Sequence, residues 1–259
     1  MGRASQAGRA SQAGRASQAD RASQAQSPPP VPADVDPRTL PAEVRGELRS
    51  LRIPLADSVA AHLVAAGTLI DSDPATALRH ARAARQLAAR IAACREAVGL
   101  CAYEAGEYAE ALAELRAARR MNGSVEHLAV MADCERGLGR PERALRYLDE
   151  PDAARLDPAT WAELRIVLSG ARRDMSQPEA GLALLEGADM HPPVVMPWTA
   201  RLWYAYAEAL LACGREEHAA EWFFAVDAVD EGETDAAERL AAMVLPDQPA
   251  EGRSDAEQQ

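Results

Sequence analysis

The stretch GLCAYEAGEYAEALAELRAA, from Gly99 to Ala118, decides how this chain is read. It joins two amphipathic helical segments through a short turn holding Gly106. Five residues past that glycine, inside the second segment, sits Ala111. A second stretch, YAYAEALLACGREEHAAEWFFAVDA from Tyr204 to Ala228, repeats the plan with Gly214 and Ala219. Weaker copies set Gly139 before Ala144 and put Ala77 and Ala180 in the matching slot. The slot alanines Ala77, Ala111, Ala144, Ala180 and Ala219 are therefore 34, 33, 36 and 39 residues apart. A period in that range predicts stacked helical hairpins, because one hairpin cannot bury its apolar face alone and its neighbours supply the rest of the core. The expected fold is all-α: a superhelical solenoid of about five hairpins closed by a C-terminal capping helix. Arrays of this kind present a long concave surface to a partner.

The composition suits such an array. Of 259 residues, 48% are hydrophobic but only 4% aromatic, and alanine fills the difference. Sheets favour β-branched and aromatic side chains, whereas thin helices at close range favour alanine. The formal charge of −12 is unevenly spread. Residues 1–33 hold Arg3, Arg9, Arg15 and Arg21 against Asp20. Residues 246–259 hold Arg253 against Asp247, Glu251, Asp255 and Glu257. The acidity thus belongs mostly to the body between them, and an acidic body argues against nucleic acid as partner.

All 28 basic residues are arginine. A Walker-type phosphate loop, a protein-kinase site and a pyridoxal Schiff base each need a lysine amine, so none is present. His62, His80, His127, His191 and His218 are scattered, with no pair at metal-ligand spacing and no nucleophile elbow. No catalytic residue, metal site or cofactor is expected. Cys94, Cys101, Cys134 and Cys213 lack the short paired spacing of a zinc site and read as small packing residues. No apolar run reaches the roughly 18–20 residues that cross a bilayer, and no apolar segment follows the N-terminal arginines. A reduced, cytoplasmic setting is expected.

Along the chain, residues 2–25 are four near-identical hexapeptides of the form GRASQA, followed by the proline-rich run Gln26 to Pro32. A period of six fits neither helix nor strand, so residues 1–33 are expected to be a disordered tail and stiff linker. Residues 34–245 are the expected repeat domain and 246–259 a disordered acidic tail. A short helix, PAEVRGELRSL, begins near Pro41 and should break at Pro54. The five hairpins follow from Asp57 to Val229. Asp73-Pro74 and Asp157-Pro158 carry an aspartate cap with proline at the first helical position. Ser124 is expected to cap the third hairpin, whose second helix should run Pro141–Leu148. Ser176-Gln177-Pro178-Glu179 should make a capping box. The run His191–Pro197 cannot be helical, and Asp235–Val244 should close the array.

At these residues the chain resembles a tetratricopeptide-repeat protein of the alanine- and arginine-rich actinobacterial type, over about residues 57–229. Trp203 occupies the tryptophan slot, Tyr108 the aromatic slot after the turn, and Gly99, with Ala65, Ala132 and Ala207, the small slot of the first helix. Gly99 opposite Ala111 would let two backbones approach closely, with Leu115, Leu148 and Phe223 filling the larger spaces.

The resemblance implies that first helices line a concave groove binding peptides or helices of another protein. Its candidates here are His62, Ala66 and Leu69; Glu96, Leu100 and Tyr103; Glu126, Asp133 and Arg136; Arg165, Ser169, Arg172 and Arg173; and Arg201, Tyr204 and Glu208. The family's carboxylate clamp of lysines and asparagines is not carried over, since lysine is missing and the lone Asn122 lies outside those slots. Arg165 and Arg172, seven apart on one helix face, with Arg173 and Arg201 nearby, could grip carboxylates through forked hydrogen bonds, or could simply offset helix C-termini. The convex acids Glu110 and Glu114 should be indifferent to binding. The expected function is a non-catalytic scaffold holding another protein. An RNA- or ribosome-associated adaptor and a self-assembling structural protein are the alternatives.

Overall fold

The computed structural model describes residues 28–186, 190–192, 194–230 and 232–244. The hexapeptide repeats and the acidic segment 246–259, both expected to be tails, lie outside the described residues. Within them every regular element is helical and no strand occurs. The helices form two compact units that divide between Ser124 and Val125.

The first unit holds α1 (Ala42–Leu48), α2 (Ile53–Leu69), α3 (Pro74–Leu87), α4 (Ala92–Glu104) and α5 (Tyr108–Asn122). α2 packs on α3, α3 on α4 and α4 on α5, while α2 also touches α4. Pro54, expected to break a helix, opens one instead. It stands in the first turn of α2, where a missing N–H leaves no bond unmade. The Asp73 carboxylate accepts the Thr76 N–H at 3.1 Å, as its cap position implies. α4 borrows its cap from afar: Glu47 Oε2 accepts the Ala93 N–H at 3.2 Å.

The second unit holds α6 (Leu128–Gly137), α7 (Pro141–Ala144), α8 (Pro158–Asp174), α9 (Pro178–Glu186), α10 (Thr199–Ala212), α11 (Glu216–Asp227) and α12 (Ala236–Val244). α6 packs on α7 and α8, α8 on α9 and α10, α10 on α11, and α11 on α12. Three local expectations fail here for identifiable reasons. Ser124 is not the N-cap of α6: that position is His127, and the helix begins only at Leu128. The Ser124 N–H instead bonds Asn122 Oδ1 at 3.0 Å, within the turn by which Gly123 (φ 69°) ends α5. The second helix of the third hairpin stops at Ala144 and tightens into 3₁₀ turns over Leu145–Asp149 and Pro151–Arg155. Pro151 forces Glu150 into extended backbone, so an α-helix cannot run through. Tyr147 is then buried while Leu148, the expected core residue, is only half-buried.

The third failure concerns the capping box, and its correction exposes the repeat. Ser176 is not an N-cap; it is a left-handed residue at φ 59°. It stands where Gly106, Gly139 and Gly214 stand, at φ 75°, 69° and 71°. In all four turns the next residue reaches back five positions. Glu107 N–H donates to the Ala102 carbonyl at 2.7 Å, Arg140 to Glu135 at 2.9 Å, Gln177 to Arg172 at 2.9 Å and Arg215 to Leu210 at 3.0 Å. This is the Schellman closure, and it fixes the angle between the paired helices.

Five residues past each turn lies the small slot, which moves the fourth slot from Ala180 to Gly181. Ala180 is half-buried, whereas Gly181 is buried against Ser169. The corrected slots Ala77, Ala111, Ala144, Gly181 and Ala219 each lie twelve residues after a small partner: Ala65, Gly99, Ala132, Ser169 and Ala207. All ten are buried. An added Cβ at Gly99 would fall 2.5 Å from Leu115 Cγ, so hairpin contact there is close enough to require glycine.

Candidate functional site

The first helices α8 and α10 lie side by side, and ion pairs hold them there. Arg201 Nη2 donates to Glu163 Oε2 at 2.8 Å. Glu208 is shared: Arg173 approaches it from α8 at 3.5 Å, and Arg239 of α12 donates to its other oxygen. Above these pairs opens a cavity of about 380 Å³ lined by Ile166, Arg173, Arg201, Tyr204, Ala205, Glu208, Glu233 and Thr234. Four of the predicted groove residues, Arg173, Arg201, Tyr204 and Glu208, thus meet in one cleft. Glu233 and Thr234 complete the lining, and Glu163, Asp235 and Arg239 bond to Arg201, Tyr204 and Glu208 in it; the sequence did not single these five out for it. They come from positions remote in the chain, where helical spacing carries no signal.

Tyr204 does two things in the cleft. Its ring packs edge-on against Phe223 at 5.5 Å between centroids, and its hydroxyl donates to Asp235 Oδ1 at 2.5 Å. Burial, with that bond to a carboxylate, pushes the phenol up to about 12, so it stays a hydrogen-bond donor at neutral pH. Tyr204, a predicted groove residue, thus also ties α10 to the start of α12. Burial likewise raises the Glu163 carboxyl, with Arg201 pulling the other way. The Glu208 bond holds the Arg239 guanidinium above its ordinary value.

The expected guanidinium cluster does not form as one face. Arg165 and Arg172 share a side of α8, but they turn toward their own hairpin. Arg165 Nη1 donates to the Leu184 carbonyl at 3.0 Å, with its guanidinium 5.1 Å from the Trp161 ring centroid. Arg172 Nη1 donates to Gln177 Oε1 at 2.7 Å. Arg136 bonds Asp174 and Asp133, each at 2.8 Å, and lies against Gly170, where an added Cβ would fall 2.7 Å from its Cζ. The cleft is of mixed sign, because each arginine in it already meets a carboxylate.

Other candidates fall elsewhere. Tyr103 lies in the first unit, its ring centroid 6.0 Å from that of Tyr108. Ser169, placed in the groove by sequence, is only 1% exposed and belongs to the small-pair core. Glu110 and Glu114 are not free convex acids. Glu110 pairs with Arg82, and Glu114 accepts Arg85 at 2.6 Å and Arg95 at 2.8 Å. Trp203 donates its Nε1–H to the Met190 carbonyl at 2.9 Å, so the tryptophan slot pins the start of the non-helical run before α10. His62 is buried rather than groove-facing, its Nδ1 2.9 Å from that of His80. His62 stands three residues before Ala65 and His80 three after Ala77, a symmetry about the small pair that spacing could have shown. Burial lowers both imidazoles from their ordinary value.

Cys94, Cys101 and Cys134 are buried, and burial pushes the thiols of Cys94 and Cys101 up to about 12. Among the described residues no cluster of three or more His, Cys, Asp or Glu side chains could hold a metal, and no helix is long and apolar enough to cross a membrane. Compared with known proteins, the chain matches no family model and no curated protein sequence.

Proposed function

We propose that this chain is a non-catalytic scaffold of tetratricopeptide type, working in the cytoplasm, whose cleft between α8 and α10 binds a segment of another protein. The observation that supports this most is the recurring unit: a small pair twelve residues apart, closed in four of five hairpins by the same left-handed turn. A unit of that regularity makes a rigid frame on which neighbouring first helices hold a shared cleft.

The cleft is lined by an aromatic ring, two guanidinium groups and two carboxylates, with Glu163 and Arg239 paired to its charges. Such a lining fits a polar partner segment carrying both signs of charge better than a purely acidic one. It also weighs against the RNA-adaptor reading. Arg136, Arg173 and Arg201 would have to leave their carboxylates before meeting a phosphate.

The test is affinity capture with quantitative mass spectrometry, run on the full chain and on Arg201→Glu. Arg201 is the most exposed of the ion-pairing arginines here, with 56% of its side chain accessible, so the change leaves the core alone. A protein retained by the parent and lost by Arg201→Glu, but retained by the exposed control Ala109→Glu, is the expected result. Equal capture by all three would remove the cleft from the account.

A further inference from the structure

We infer that the start of the first unit carries a separate docking site for an acidic partner segment bearing large aliphatic side chains. A cleft of about 380 Å³ opens between the segment at Pro37–Arg38, helix α1 and the first turns of α2. Its floor is apolar: Leu48 is only 4% exposed, and Ala56 and Ala60 lie beside it. Ile53, at its edge, is 77% exposed, the most exposed large aliphatic side chain among the described residues. An isoleucine so placed contributes nothing to the core of this unit. It does complete an apolar wall for something seated in the cleft.

The rim selects the sign of that occupant. Arg38, Arg45 and Arg49 line the cleft and are exposed, and none makes an ion pair among the described residues. Elsewhere in the same unit Arg82, Arg85 and Arg95 each sit on a glutamate. Asp57 is the one acid lining the cleft, and Glu47, on the same helix as Arg45, is turned to the Ala93 N–H. Three guanidinium groups against one carboxylate make a local cationic site on a chain whose net charge is −12. Carboxylates on a partner would meet forked donors there, while an aliphatic side chain fills the floor. A nucleic acid would find phosphate partners but no aromatic ring on which to stack a base, so the lining favours a peptide.

The experiment uses the full chain and a fluorescein-labelled synthetic peptide of leucines set among glutamates, followed by anisotropy. Saturable binding is expected. It should weaken at least about tenfold in the double variant Arg45→Glu/Arg49→Glu, in Ile53→Asp, and when glutamine replaces every glutamate of the peptide. Thermal melts of the variants should match the parent, because all three positions are exposed. The proposal is overturned if no saturable binding occurs, if the glutamine peptide binds as well as the glutamate one, or if the variants bind like the parent. Binding of oligouridine in place of the peptide, abolished by the same variants, would assign the site to nucleic acid instead. A concentration-dependent dimer by light scattering that Arg45→Glu abolishes would assign it to a second copy.

Discussion

Ser169 and Gly181, twelve residues apart, meet so closely that a Cβ added at Gly181 would fall 2.9 Å from the Ser169 carbonyl oxygen. The obstacle is backbone, which cannot swing aside as a side-chain tip can. Replacing an exposed helical glycine by alanine gains up to about 1 kcal/mol of helix propensity. Here the clash outweighs that gain, and Gly181→Ala should lower stability by about 1–2 kcal/mol in urea unfolding. A stabilised variant would show that the fourth hairpin is looser than described.

The turn before that slot makes the opposite prediction. Ser176 holds φ 59°, where a side chain strains against its own backbone and the three equivalent turns use glycine. Ser176→Gly should raise stability by about 1 kcal/mol, the penalty of a left-handed residue with a Cβ. An unchanged midpoint would mean the serine is unstrained.

Glu114 tests the ion pairs of the first unit. It is 8% exposed and bonds two half-buried arginines, so removing its charge leaves Arg85 and Arg95 without their carboxylate. Partial exposure of both guanidinium groups screens the loss, and Glu114→Gln should cost about 1–2 kcal/mol rather than the larger value of a fully buried pair. The exposed Ala109→Glu on the same helix should be neutral within about 0.5 kcal/mol.

The buried His62–His80 pair sets a pH dependence. Both imidazoles are lowered by burial from an ordinary value of 6.5, so the unfolded chain takes up protons that the folded chain refuses. Stability is therefore complete above that value and lost as pH falls through it toward the folded values. The carboxylates Asp73 and Asp157, lowered from 3.8 by the side-chain hydroxyls of Thr76 and Thr160 and then by their backbone cap bonds, contribute stability that is lost only at more acid pH. Unfolding midpoints measured from pH 8 downward should start to fall near 6.5. The double variant His62→Leu/His80→Leu should flatten that fall.

Much of this was legible in the sequence. Hairpins with glycine turns, such as Gly106 before Ala111 and Gly214 before Ala219, announced themselves because one residue type can do each job. The fourth hairpin hid because serine did the work of glycine in its turn, and glycine the work of alanine in its slot. A search for Gly-then-Ala then settles on Ala180, one residue short. The cleft was half legible: the resemblance to the repeat family put Arg173, Arg201, Tyr204 and Glu208 in one groove. It could not show that Glu163 and Arg239 already occupy the arginine and glutamate there, since those partners come from 38 and 31 residues away.

The proposed function is tested most directly by hydrogen exchange on the complex with whatever protein the full chain retains. Binding in the cleft should slow amide exchange in peptides spanning 163–173 and 201–208, and around Thr234 and Asp235, with the second helices α9 and α11 unchanged. Protection confined to α9 and α11, with none in α8 or α10, would contradict the account.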